Sequence, residues 1–199
     1  GRINPGPWLD YIEIDSMTEI KTDFYLVRGY IVERTGSDKK AGYLVEKRKV
    51  TISLMKTDYK WLINNVQLGD YVDNLGILYE NSLYGFRFRL PASWKNAQIL
   101  MNQWDGYAVN SPSGSHVIES GPLLSIRNPL WTSETPRQDI PIMIFTFPQW
   151  DKLYREEMNV GAAPIGPSEL GRNNKYVFAL PARYNYAFPA GYQEVEEIL

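Results

Sequence analysis

The sequence predicts an α+β protein made mostly of antiparallel sheet and divided into two parts. Three observations predict it. Residues 50–54 alternate, with Val50, Ile52 and Leu54 on one face and Thr51 and Ser53 on the other, the period of a half-buried strand. Prolines are partitioned, with Pro5 and Pro7 alone before residue 75 and eleven after it. Two stretches late in the chain carry apolar residues at helical spacing.

The first part, 1–73, reads as a curved β-meander. Phe24–Glu33 is rich in aromatic and β-branched residues, Tyr43–Met55 holds the alternation, and Tyr59–Leu68 follows the tight turn Lys56-Thr57-Asp58. Trp8–Ile14 adds a further possible strand, and Thr35–Gly42 is polar and glycine-containing, as a loop between long strands is. A sheet this small leaves one apolar face in need of cover. Asp73-Asn74-Leu75-Gly76 is a turn-forming linker.

The second part, 77–199, mixes strands, stiff proline-punctuated loops and two helices. Phe86, Phe88 and Leu90 alternate with Arg87 and Arg89 up to a stop at Pro91. Gln98–Gln103 and Leu123–Arg127 are short strand candidates, and Lys175–Leu180 is another. Ile140–Phe147 is nearly all apolar, as a strand buried on both faces would be. A helix is expected from Pro148, with Trp150, Leu153, Tyr154 and Met158 as its apolar stripe. Tyr192, Val195, Ile198 and Leu199 line a terminal helix whose outer face carries Glu194, Glu196 and Glu197.

Composition excludes several chemistries. With 21 basic and 23 acidic residues among 199, there is no strong field to attract nucleic acid. No apolar run approaches the 18 residues that would span a bilayer as a helix. Absence of cysteine removes disulfides, thiol nucleophiles and thiolate-held zinc. No motif calls for a cofactor or a metal. A histidine-based mechanism has only His116 to use.

Five places carry candidate chemistry, each with a plainer alternative. His116 closes the loop Asn110–His116 and reads as a general base or as a solvated loop residue. Arg127 and Arg137 beside Trp131 pair a planar fork with a stacking face, suited to a carboxylate or a sugar. The same residues would also pin a loop. Ala163–Asn173 holds glycines but lacks phosphate-loop spacing, and Ser168-Glu169 to Gly171 reads more simply as a helical turn. Pro181–Pro189 is the densest aromatic segment, where Arg183, Tyr184 and Tyr186 form a ligand groove or a packed connector. The terminal glutamates read as a solvated face rather than a calcium site.

Two resemblances add to this. Tyr79-Glu80-Asn81-Ser82-Leu83-Tyr84-Gly85-Phe86-Arg87-Phe88-Arg89-Leu90-Pro91-Ala92-Ser93-Trp94 resembles the opening of PsbP-like (Mog1/PsbP) domains. These are antiparallel sheets with packed helices, mostly binding or assembly factors. Phe24–Val32, Val45–Lys56 and Lys60-Trp61-Leu62-Ile63-Asn64-Asn65-Val66 are similar to the closing strands of an NTF2-like (cystatin-like) domain, without the helices that precede them in that family. Together they resemble cell-surface lipoproteins of Firmicutes. The resemblance implies an extracytoplasmic, cell-surface-attached protein with a possible lipid anchor in its precursor. The expected function is a non-catalytic binding or interaction module with a protein or small-molecule partner. The alternatives are a carboxylate-dependent hydrolase using His116 and a structural spacer. The expected binding residues are Arg127, Trp131, Arg137, Arg183, Tyr184 and Tyr186.

Overall fold

Twelve strands carry most of the described chain, because long stretches alternate apolar with polar residues at period two. The structure is a computed structural model and describes residues 7–36, 39–72, 76–109, 116–161 and 165–199. The linker at 73–75, most of the loop before His116 and Ala163-Pro164 lie outside the described residues.

The chain divides into two units, the first holding 1–37, 43–80 and 87–92 and the second 38–42, 81–86 and 93–199. The first unit is built on β1 (Trp8–Lys21), β2 (Phe24–Thr35), β3 (Tyr43–Thr57) and β4 (Lys60–Tyr71), an antiparallel meander. β5 (Ile77–Asn81) pairs with the start of β3, and β6 (Phe86–Leu90) follows β5 in the same sheet. Gly76 has a positive φ of 61°, and a Cβ there would stand 2.5 Å from the Leu90 carbonyl oxygen, so only glycine fits.

Register sorts the residues of this meander onto two faces. Val27 opposes Ile52, Gly29 opposes Val50, and Tyr25 opposes Leu54. On β1, Leu9, Ile12, Ile14 and Met17 lie opposite Glu33, Ile31, Gly29 and Val27 and share that face. On β4, Trp61, Ile63, Val66 and Leu68 lie opposite Lys56, Leu54, Ile52 and Val50 and share it too. Val27, Val50 and Ile52 are buried in the middle, while those eight residues of the two outer strands are exposed. The bulges in β1 and β4 bend these strands. The opposite face mixes charge pairs with apolar residues: Lys47 Nζ donates to Glu13 Oε2 at 2.6 Å and Arg34 Nε to Asp10 Oδ2 at 2.7 Å, while Val32 there is buried and Trp8, Tyr11, Met55 and Leu62 are exposed.

The second unit holds a six-stranded antiparallel sheet of β7 (Gln98–Ala108), β8 (Val117–Arg127), β9 (Ile140–Thr146), β10 (Met158–Val160), β11 (Ser168–Arg172) and β12 (Tyr176–Leu180). Their order is β10-β7-β8-β9-β12-β11. β9 lies inside the sheet, as its apolar run demands, with Ile142 to Phe145 all buried. Trp104, Met143, Phe145, Met158, Val177 and Ala179 form one core, with Trp150 and Leu153 packed against it. The Trp104 indole N–H donates to the Ile144 carbonyl at 2.9 Å.

Among the described residues there are two α-helices, α1 (Phe147–Tyr154) and α2 (Tyr192–Ile198), and a short 3-10 turn at Ala92–Trp94. This corrects the expected class: the chain is mostly β, and eight and seven residues of helix do not make an α+β layer. α1 ends sooner than the stripe to Met158 suggests. Glu156 turns left-handed at φ 57°, and Met158 enters β10 opposite Ala108. The helical turn expected from Ser168-Glu169 to Gly171 is instead part of the strand Ser168–Arg172, paired with β12.

Candidate functional site

The expected binding residues sit on two segments of the second unit, and backbone bonds join those segments at one end. Arg127 ends β8, and residues 128–139 return to β9. The Gln138 N–H donates to the Ala190 carbonyl at 3.0 Å, and Arg137 and Ala190 form an isolated parallel bridge. This brings the 127–139 loop beside the end of the 181–190 segment. The Arg137 side chain reaches toward Gly191, whose added Cβ would stand 3.9 Å from Nη1.

In the first segment the polar groups are used internally. Arg127 Nε donates to Asp139 Oδ2 at 3.2 Å, and its guanidinium stacks on Trp131 at 3.9 Å from the ring centroid. Asp139 Oδ1 accepts from the Asn128 N–H at 3.2 Å, and Asn128 Oδ1 accepts from the Leu130 N–H at 2.9 Å. Burial pushes the Asp139 carboxyl above the usual carboxylate range, against the pull of the Asn128 N–H and Arg127. Trp131 is half-buried. Arg127 and Trp131 therefore act on each other and on Asp139, which is the loop-pinning arrangement. Beside them Gln138 is buried, donates from Nε2 to its neighbour's carbonyl at 2.8 Å, and has no hydrogen-bond partner for Oε1.

The second segment is different. Residues 182–187 form successive turns, closed by Tyr186 N–H to the Arg183 carbonyl at 3.0 Å and Phe188 N–H to the Asn185 carbonyl at 2.8 Å. Arg183 and Phe188 both hold positive φ, 55° and 46°, a conformation that costs a non-glycine residue of order 1 kcal/mol or more. The turns present Tyr186 at 72% and Phe188 at 67% exposure, with the Arg183 guanidinium 5.8 Å from the Tyr186 ring centroid. Asn185 Nδ2 donates to Glu196 Oε1 at 2.6 Å and ties the segment to α2. Tyr184 is half-buried, and burial with the nearby Glu196 charge raises its phenol above the ordinary range.

Two clefts lie elsewhere on the same unit and are lined by none of the six expected residues. One, of about 510 Å³, is walled by Trp150, Leu153, Met158, Val160 and Ile165 among others. The other, of about 730 Å³, lies between Phe147, Trp150 and Tyr154 of α1 and the Glu169–Arg172 ion pair of β11. Tyr154 stands between them at 86% exposure. The apolar stripe included Tyr154 as a packing residue. The signal that it faces outward was its neighbourhood of Asp151, Arg155 and Glu156.

His116 is exposed at the start of β8. Three carboxylates of this unit are engaged by cations: Glu119 by Lys152, Glu169 by Arg172, and Asp139 by Arg127. Among the described residues no three histidine or acidic side chains gather closely enough to hold a metal ion. No helix among them is long and apolar enough to cross a membrane. No protein-family model, no curated protein and no solved structure matches the chain.

Proposed function

We propose that this protein is a non-catalytic binding module whose contact surface is the strained turn Arg183–Phe188. One observation carries the reading. Two non-glycine residues are held in the left-handed region so that an arginine and two aromatic rings project into solvent. Backbone strain of this kind persists where the surrounding structure enforces it, and it clusters at ligand contacts. An exposed tyrosine beside an arginine offers a stacking face, a hydroxyl and a cation within one small area, the combination enriched at interaction hot spots. Arg137, at the joined end of the neighbouring loop, extends the same chemistry.

The hydrolase alternative gains no support from the carboxylates. A general acid is a carboxyl kept protonated near neutrality, whereas lysine and glutamine hold Glu119 below its ordinary range and arginine holds Glu169 below its own; Asp139, which burial raises, is bound to Arg127 and the Asn128 N–H. The extracytoplasmic setting, the lipid anchor and the PsbP-like and NTF2-like assignments rest on sequence resemblance and belong to this proposal.

The test compares wild-type protein with Arg183→Ala/Tyr186→Ala as immobilised bait for an envelope extract, with the recovered partner then titrated by calorimetry. Both side chains are exposed, so the variant should melt within about 0.5 kcal/mol of wild type. Binding should weaken at least tenfold. Unchanged affinity in a folded variant removes this turn as the site.

A further inference from the structure

We infer that the cleft between α1 and β11 is a binding site for a neutral carbohydrate. It lies within the second unit and shares no residue with the Arg183–Phe188 turn, so it stands apart from the contact surface proposed above.

One wall is aromatic, and the chain fixes where its rings point. Phe147, Trp150 and Tyr154 recur at i, i+3 and i+7 and so share one stripe of α1. The other side of the helix is tied down. Gln149 Oε1 accepts from the Thr146 N–H at 2.9 Å, and the Gln149 and Lys152 side chains both donate to Glu119 of β8. Trp150 is held from beneath by Phe145, at 5.3 Å between ring centroids. The stripe is positioned by the core without being consumed by it. Trp150 is half-buried, Phe147 is 39% exposed and Tyr154 stands out at 86%. Such rings offer flat apolar faces to a ligand.

The other wall is polar, and it decides the class of ligand. Arg172 Nε donates to Glu169 Oε1 at 2.7 Å, and Nη2 to Oε2 at 2.5 Å. Asp151, which also lines the cleft, is held by Arg155 at 2.8 Å. Each carboxylate is thus balanced by a guanidinium, and the cleft has no spare charge with which to select an anion or a cation. A hydrocarbon would strip water from Asp151, Glu169 and Arg172 and return no hydrogen bond. The Glu169–Arg172 pair still keeps unused lone pairs on the acid and unused N–H groups on the arginine. A ligand that sets O–H donors and oxygen acceptors side by side satisfies both. Adjacent hydroxyls of a sugar do this, and the sugar's C–H face suits the rings of α1. The volume of about 730 Å³ falls in the range of small-molecule sites, roughly 300–1,000 Å³. Trp150 and Tyr154 also wall the neighbouring cleft of about 510 Å³, so an oligosaccharide lying over Tyr154 reaches both.

Isothermal titration calorimetry of the whole chain tests this, with cellotetraose, maltotetraose, mannotetraose and N-acetylated chitotetraose as neutral probes and tetragalacturonate as the acidic counterpart. At least one neutral tetramer should bind with a Kd no weaker than about 1 mM. Tyr154→Ala should weaken that binding at least tenfold, while Tyr154→Phe, which keeps the ring, should bind as wild type does. Glu169→Ala/Arg172→Ala removes the polar wall without changing net charge and should also cost at least tenfold. These side chains are exposed, so the variants should keep the wild-type circular dichroism and melting transition. Arg183→Ala/Tyr186→Ala should bind the sugar unchanged, which separates this site from the turn. Failure of every neutral tetramer to bind overturns the inference, including in a chain that instead pairs an extended peptide with β11. Tighter binding of tetragalacturonate overturns it too, as does sugar binding that survives Tyr154→Ala.

Discussion

Gly121→Ala should be among the most damaging one-carbon changes in the second unit. Gly121 sits opposite Trp104 in the β7–β8 ladder. A Cβ at Gly121 would stand 2.5 Å from Cζ2 and 2.7 Å from Nε1 of that indole. The indole has little room to retreat, because it is 3% exposed and stacked on Phe145 at 4.4 Å between centroids. Overpacking of this kind costs roughly 1–3 kcal/mol. Displacing the ring also breaks its hydrogen bond to the Ile144 carbonyl and leaves a buried donor and acceptor unpaired, at about 1–3 kcal/mol. The two overlap, so the expected loss is about 3 kcal/mol, or roughly 6–12 °C in Tm for a chain of this length. Differential scanning calorimetry measures it, with near-ultraviolet circular dichroism following the indole. Gly171→Ala is the internal control, since nothing lies within 4 Å of its added Cβ. It should fall within about 0.5 kcal/mol of wild type. A Gly121→Ala protein as stable as Gly171→Ala would refute the packing argument.

Asp139→Ala should cost about 1–3 kcal/mol in urea unfolding, because it strips the partly buried Arg127 and the Asn128 N–H of their acceptor. The raised Asp139 pKa means the folded state holds its proton longer than the unfolded one. This group's own contribution to stability therefore declines as pH rises from the ordinary aspartate range to the raised value. Glu119 works the other way. Lys152 and Gln149 lower its pKa, so its contribution is present above the ordinary glutamate value of 4.5 and is lost as pH falls below it. Lys152→Met should remove about 0.5 kcal/mol and flatten that acid limb of the stability profile.

The strands that could be read from the sequence are those whose residues determine their own burial. β9 needs nothing but its apolar run, and β3 nothing but alternation. β1 runs past the expected Trp8–Ile14, because the bulge between Ile14 and Ser16 throws Ser16 and Thr18 out of simple alternation. β11 departs from its expected helical turn for a related reason. Ser168, Glu169 and Gly171 are turn formers by type, and only pairing with β12 makes them a strand. Met158 was placed on a helix by spacing, yet the chain leaves the helix at Arg155 and Glu156, where no proline or glycine announces the break. Helical spacing likewise predicts more helix than the chain forms. Stripes of apolar residues exist, but Phe147–Tyr154 and Tyr192–Ile198 are too short to form a layer.

The site residues show where composition stops being informative. Arg127 and Arg183 are the same residue type, each within reach of an aromatic ring. Sequence gave them the same candidate chemistry. What separates them is a carboxylate. Asp139 lies twelve residues from Arg127 in the chain, and the β8–β9 pairing returns it to the guanidinium, which then has little left to offer a ligand. In the Arg183 segment the acid Glu196 is bound by Asn185, and the arginine is exposed beside Tyr186. Whether a loop arginine pins or binds is thus decided by which acid the sheet register delivers to it, and register is a property of paired strands that no single stretch of sequence contains.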